Sequence, residues 1–194
     1  MKKELEVWVD VPEYEGHYQV SNLGRVRSLD RIVTDKNGKI KNKSGEVLKP
    51  FNNGRNYLQV ILNKSGARKS FYVHRLVMKV FVGDSPQNYV VCHNDGNPYN
   101  NQISNLRYDT LLENTLDQFR HGTCGLKGLQ TLDTILKIRE DFDSKKLSRP
   151  ELMKKYNMSK SSIREITNRI TYDWLDDEGK IRKSETAIYY KNSI

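Results

Sequence analysis

Apolar and polar residues alternate with a period of two along much of the first eighty positions. Val7, Val9 and Val11 flank Trp8 and Asp10, Tyr18 and Val20 flank Gln19, and Leu58, Val60 and Leu62 repeat the pattern. Asn22-Leu23-Gly24 supplies turn residues before Arg25-Val26-Arg27. Asn63-Lys64-Ser65-Gly66 reads as a hairpin turn, with Phe71 and Val73 on the return strand. The period then lengthens, and Val73 to Val82 carries Leu76, Val77 and Val80 at helical spacing. Tyr89-Val90-Val91 predicts a buried strand, Asn94 to Asn101 a polar loop, and Asn105 to Thr110 a second strand. Thr110-Leu111-Leu112-Glu113 is a capping box that opens a helix running to about His121, where Gly122 is placed to end it.

Gly122 to Gly128 contains three glycines and reads as a linker. Beyond it Leu132, Ile135, Leu136 and Ile138 form one apolar face. Ser148-Arg149-Pro150-Glu151 is a second capping box, Asn157-Met158 a tight turn, and Ser159 caps a last helix carrying Ile163, Ile166 and Ile170. Two short helices joined so closely predict a helix-turn-helix. The expected fold class is α+β and modular: a β-rich region over 1–82, a ββα centre over 83–123, a linker over 124–130, a helix-turn-helix over 131–175 and a tail over 176–194.

Composition supports small modules, because a mean hydropathy of -0.77 and 36% hydrophobic residues are low for one large core. No apolar run is long enough to span a bilayer and the first residues lead into a charged segment, so no membrane or export role is expected. Cys92 and Cys124 make no disulfide framework, which fits a reducing cytoplasm. The net charge of +9 is unevenly spread. Residues 23–80 carry 14 Lys and Arg against 3 acids, and residues 126–175 carry 11 against 7. Residues 83–125 between them carry only 2 Arg against 5 acids. Basic arms around a mildly acidic centre suit a protein that grips nucleic acid about a cation.

The chemistry concentrates in Val91-Cys92-His93-Asn94-Asp95-Gly96-Asn97-Pro98-Tyr99-Asn100-Asn101, with Asn105-Leu106-Arg107 and Asn114 beyond it. Hydrolysing a phosphodiester needs a deprotonated water in line with the scissile bond and a cation to offset charge on the leaving oxygen. A neutral imidazole serves as base near neutral pH once its second nitrogen is held. A hard cation needs oxygen donors and keeps several waters. A histidine at a strand end, an asparagine opening the paired strand and an asparagine one turn into the helix meet these needs within a ββα fold.

This run resembles the HNH homing endonucleases of phages and their introns over about residues 88–123. The strings that carry the resemblance are His93-x-Asp95-Gly96-Asn97-x-x-Asn100-Asn101, Asn105-Leu106-Arg107, Asn114 and His121-Gly122-Thr123. Tyr14-Glu15-Gly16-His17-Tyr18-Gln19-Val20-Ser21-Asn22-x-Gly24-Arg25-Val26 resembles the nuclease-associated module that often precedes them, and the C-terminal helices resemble their DNA-binding tails. The resemblance implies His93 as general base, Asn105 as the residue orienting it, Asn114 as a metal ligand, and Mg²⁺ or Mn²⁺ as cofactor. It also implies double-stranded DNA as partner and the cytoplasm of a phage-infected bacterial cell as location. Well-studied members place an aspartate where this chain has Cys92. A thiol is a poor partner for Mg²⁺, so Cys92 is either a weak ligand or a packing residue, with Asp117 as a further candidate ligand.

Candidate DNA contacts are Lys160, Ser161 and Arg164 on the last helix, Arg25, Arg27, Arg55 and Arg68 on the sheets, and Arg107 beside the motif. One centre per chain, with no heptad pattern, leads to the expectation of a monomer that nicks one strand. Two other readings remain at this point. One is a DNA-binding regulator or inactive nuclease relic, favoured by Cys92. The other is a zinc module built on Cys92, His93, His121 and Cys124.

Overall fold

The structure is a computed structural model that describes residues 5–34, 37–52, 54, 56–121 and 131–190. It divides into two compact units, residues 1–117 with 185–194, and residues 118–184.

The first unit begins with strands β1 (Trp8–Asp10), β2 (Tyr18–Ser21) and β3 (Val26–Ser28) in one antiparallel sheet. A two-stranded ribbon of β4 (Arg31–Thr34) and β5 (Ile40–Lys43) follows. A third sheet orders β6 (Phe51–Asn52), β7 (Leu58–Lys64) and β8 (Ala67–Tyr72). The predicted hairpin turn is present, with Lys64 opposite Ala67 and both Ser65 and Gly66 at positive φ. That conformation matches the twist of the flanking strands. Helix α1 (Val73–Phe81) then leads to β9 (Tyr89–His93), β10 (Leu106–Thr110) and α2 (Leu111–Arg120), the strand–loop–strand–helix order read from the sequence. The Thr110 hydroxyl accepts from the Glu113 amide at the start of α2, at 3.3 Å.

No separate core divides residues 1–82 from the ββα centre. Val11, Tyr18, Val20, Val60, Leu62, Leu76 and Met78 share one cluster with Leu106 and Tyr108, against which Val91 packs. A ββα unit of this size has too little apolar surface to close a core alone, so it borrows that of α1 and the sheets. The tail also differs from expectation. Residues 185–190 belong to the first unit, where Ile188 bridges Tyr108 in antiparallel fashion and the Tyr190 ring meets Phe81 edge-on at 5.9 Å.

The second unit packs α3 (Leu132–Asp143), α4 (Arg149–Tyr156) and α5 (Lys160–Thr167) around Ile135, Ile138, Leu152, Ile163, Ile166 and Leu175. Both bonds of the Ser148–Glu151 capping box form, and Asn157 adopts the left-handed conformation that ends α4. Ser159 caps α5 from the next turn, so the short helix pair stands as predicted. The linker expected at 124–130 lies outside the described residues.

Candidate active site

Side chains alternate across a strand, so the β9–β10 hairpin has two different faces. His93 pairs with Leu106, and Val91 with Tyr108, on the face turned to the shared core. Cys92 pairs with Arg107, and Val90 with Asp109, on the face turned to α2.

His93 ends β9 and is 9% exposed. Its Nε2 lies 3.1 Å from Oδ1 of Asn101, which is itself buried. An amide oxygen only accepts, so Nε2 carries the proton and the lone pair of the neutral ring sits on Nδ1. Burial lowers the pKa of His93, opposed by the bond to Asn101 and the charge of Asp95. The ring is therefore neutral and basic at Nδ1. The sequence marks Asn101 only as the end of a polar loop within the motif, and Asn105 as the orienting residue. The structure gives the direct bond to Asn101, while Asn105 holds the loop. Asn105 Nδ2 donates to Asp95 Oδ1 at 2.9 Å and to the Asn100 carbonyl at 2.8 Å, and its Oδ1 accepts from the Asp95 amide at 3.1 Å. Burial tends to raise the Asp95 pKa, but bonds from Asn100, the Asn97 amide and Asn105 outweigh it and hold the carboxylate charged.

The N-terminal sheet fixes Asn101 from behind. Gly24 lies so near that a Cβ there would sit 2.7 Å from the Asn101 carbonyl oxygen, and its φ of +78° also favours glycine. The Asn22 carbonyl accepts from the Ile103 amide at 2.8 Å. The Ser21-Asn22-x-Gly24 string is thus a dock for the loop that carries the His93 partner.

The face toward α2 is closed by ion pairs. Arg107 is 4% exposed, and its guanidinium donates to Asp109 Oδ2 at 2.9 Å, Asp117 Oδ2 at 2.6 Å and Asn94 Oδ1 at 2.8 Å. Burial opposes its charge, but the bonds to Asp109 and Asp117 prevail and raise its pKa. Arg107 was expected among the DNA contacts. Its donors are turned inward, and it ties β9, β10 and α2 together instead. Asp117, a candidate metal ligand, has its carboxylate engaged by this arginine. Cys92 is fully buried, and burial pushes its thiol pKa up to about 12. It sits as a protonated packing residue, not as an available thiolate ligand. Asn114 is half-buried on α2, and its side chain makes no hydrogen bond among the described residues.

Among the described residues no group of three or more His, Cys, Asp or Glu is arranged to hold a metal ion. A hard cation that keeps most of its water can take a single amide oxygen from the protein, and Asn114 on α2 is the residue of that kind present. Zinc is less well served, because burial raises the Cys92 thiol pKa and His93 Nε2 is bonded to Asn101; Cys124, the fourth residue of that reading, lies outside the described residues.

The candidate DNA contacts fall in both units. Arg68 is exposed on β8. Arg27 lies over the Trp8 ring at 4.3 Å and donates to Gln19, and Arg25 pairs with Glu6. Lys160, Ser161 and Arg164 share the exposed side of α5, opposite the buried Ile163 and Ile166. Arg55 lies outside the described residues.

An antiparallel hairpin ending in a neutral histidine, backed by a helix that offers an amide oxygen, defines a ββα nuclease centre. Comparison with known proteins agrees. Residues 6–63 match the NUMOD4 motif and residues 71–116 the HNH endonuclease family. DNA endonuclease I-HmuI of Bacillus phage SP01 is 35% identical over 159 residues, covering 82% of each chain. A putative HNH homing endonuclease, YosQ, of the SPbeta prophage in Bacillus subtilis is 44% identical over 54 residues, 28% of this chain and 31% of its own. The solved structure described as DNA binding and cleavage by the HNH homing endonuclease I-HmuI superposes with a TM-score of 0.50 at 28% identity, covering 96% of this chain and 99% of that one. The chain belongs to the HNH homing endonuclease family. No described helix is long and apolar enough to cross a membrane.

Proposed function

We propose that this HNH endonuclease hydrolyses one strand of double-stranded DNA by in-line attack of a water that His93 deprotonates. The observation that carries this reading is the His93–Asn101 bond, which commits the Nε2 proton and leaves Nδ1 free as the base. The water gives its proton to Nδ1, its oxygen bonds to phosphorus, and the bond to the leaving oxygen breaks. The imidazolium so formed is favoured by the Asn101 acceptor and the Asp95 carboxylate, the two influences that oppose burial in setting the His93 pKa. Asn105 acts one step back, by shaping the loop that carries Asp95. A bound Mg²⁺ or Mn²⁺ would supply charge neutralisation at the leaving oxygen, with Asn114 as protein donor beside phosphate and water.

Lys160, Ser161 and Arg164 on α5, with Arg25, Arg27 and Arg68 on the sheets, are the DNA contacts this reading assigns. With one centre per chain the protein acts as a monomer, in the cytoplasm of an infected bacterial cell. The buried Cys92, at the place where the family resemblance leads one to expect an aspartate, favours the rival reading of a DNA-binding protein without cleavage. A supercoiled plasmid bearing the target decides between them. With divalent cation, open circles should accumulate well before linear DNA. His93→Ala should slow cleavage by about 10²–10⁴-fold with DNA affinity nearly unchanged. Equal rates for variant and parent would remove His93 as the base.

A further inference from the structure

Beside the His93–Asn101 pair lies a second histidine that the proton transfer above does not use. His74 opens α1 and is 5% exposed. Its ring centroid is 5.4 Å from that of His93, at an interplanar angle of 69°. Tyr57 packs on both rings, 6.2 Å from His93 and nearly parallel to it, and 5.0 Å from His74. Tyr72 stands 5.5 Å from His74. Nδ1 of His74 is buried with no hydrogen-bond partner among the described residues.

A buried nitrogen without a partner costs stability. Phenylalanine would fill this aromatic nest with nearly the same shape and without that cost. The nitrogen therefore has no explanation in packing. Edge-on to the same ring, with 5.4 Å between centroids, lies His93, the ring that becomes positively charged when water is deprotonated. Burial first, then the charge His93 carries when protonated and the nearby Arg75, keep His74 neutral, so it adds no competing positive charge beside His93. A fixed dipole in a dry site stabilises a developing charge without having to reorganise.

We propose that His74 is a positioning residue for cleavage, a permanently neutral imidazole whose unpartnered Nδ1 faces the charge that develops on His93 while its ring holds the His93 plane. The proposal rests on the reading of His93 as the base. It makes the cluster a trade of stability for rate, as strained or unsatisfied groups at functional sites often are.

The test uses full-length His74→Phe, with single-turnover cleavage of target plasmid, DNA affinity and thermal melting measured together. The expected result is a cleavage constant lower by at least about ten-fold, affinity within about two-fold by the same argument, and a melting temperature equal to the parent or higher. A purely structural role predicts the reverse coupling, so parental cleavage by His74→Phe overturns the proposal. A rate loss matched by loss of folded protein or of affinity overturns it as well. Should His74→Phe fail to fold, His74→Asn and His74→Gln decide. Asn returns a polar atom near the place of Nδ1 and should cleave faster than Gln, and equal rates overturn the proposal. His93→Ala serves as the separate control. Parental cleavage there would sink the base assignment itself, whereas a dead His93→Ala beside a fully active His74→Phe would sink only the role of His74.

Discussion

The two faces of the β9–β10 hairpin are built from adjacent residues and solve opposite problems. On one face His93 is neutral, reached by rings and a single amide bond, and keeps a lone pair for chemistry. On the other, Cys92 is sealed, and Arg107 is locked by Asp109, Asp117 and Asn94. The contrast teaches that the rigidity the base requires is supplied from the far side of its own strand. An ion network can lock a hairpin against a helix from the far side, leaving the Asp95 carboxylate rather than the network to act on the imidazole. The closed face should therefore govern folding and the open face rate.

The largest expected departure is at the centre of the closed face. Arg107→Ala leaves Asp109 and Asp117 buried with their shared cation removed, and breaking such a pair costs about 3–5 kcal/mol. Denaturant unfolding at neutral pH measures this. A loss below about 1 kcal/mol would mean that the network is no stronger than a surface ion pair, and the division between the faces would dissolve.

Next in size is Cys92→Asp, which adds a carboxylate to a fully buried place near Asp109, Glu113 and Asp117. The expected loss is on the order of 3 kcal/mol, read by thermal melting, with Cys92→Ser much milder. If added Mg²⁺ instead restores the Asp variant to parental stability and lowers the metal needed for cleavage, position 92 is a ligand site and the closed face is part of the metal centre.

The open face carries the pH dependence. The pKa of His74 is lowered from 6.5 to about 3, first by burial, then by His93 and Arg75. Between those values the unfolded chain binds a proton at residue 74 that the folded chain does not. Stability from this residue is therefore complete above about pH 6.5 and falls as the solution is acidified, by about 2 kcal/mol at pH 5. His74→Phe should lack that share of the acid loss when unfolding at pH 5 and pH 8 is compared, and identical pH dependence in both proteins would place His74 in contact with water. Because the His93 pKa is also lowered, the acid limb of the cleavage rate should have its midpoint below 6.5.

How much of this was legible in the sequence follows from where periodicity and chemistry leave a trace. The hairpin at Ser65-Gly66, the ββα order and the helix pair around Asn157 were readable, because buried faces and caps impose residue types locally. The β4–β5 ribbon was not, since Ile32, Ile40 and most of its neighbours are exposed and no face demands alternation. His93 was legible through its motif. Asn101 showed only as the end of a polar loop, because asparagine serves loops and ligands equally and only the dock at Gly24 reveals its direction. Arg107 read as a DNA contact because a cation on a strand beside a motif carries no sign of which way it points. Its pairing opposite Cys92, and the carboxylates spaced at Asp109 and Asp117, were the available signal. His74 could be placed on a helix, but its meeting with His93 spans nineteen residues and depends on how α1 packs.

The smallest effect concerns the chain end. Thr186 donates to Asp109 Oδ1 at 2.5 Å, and Ile188 exchanges two backbone hydrogen bonds with Tyr108 at 2.8 and 2.9 Å. The tail thus reaches the same carboxylate that Arg107 holds, and extends the hairpin along β10. Deleting residues 126–194 to isolate a nuclease core would remove these contacts together with the helices, and any loss could then be misread as a loss of DNA binding. A point substitution separates the two. Thr186→Val keeps the shape and removes one hydrogen bond to a charged acceptor, a loss of about 1.5 kcal/mol. Asp109 retains Arg107 and the Thr110 amide, so the site should survive. The expected outcome is a lower unfolding midpoint with the cleavage constant of the folded protein unchanged, which assigns the tail to the closed face. An unchanged midpoint would mean that Asp109 is satisfied without the tail. A fall in cleavage with unchanged stability would mean that the tail acts on the open face, and the separation of rate from folding across one strand would fail there first.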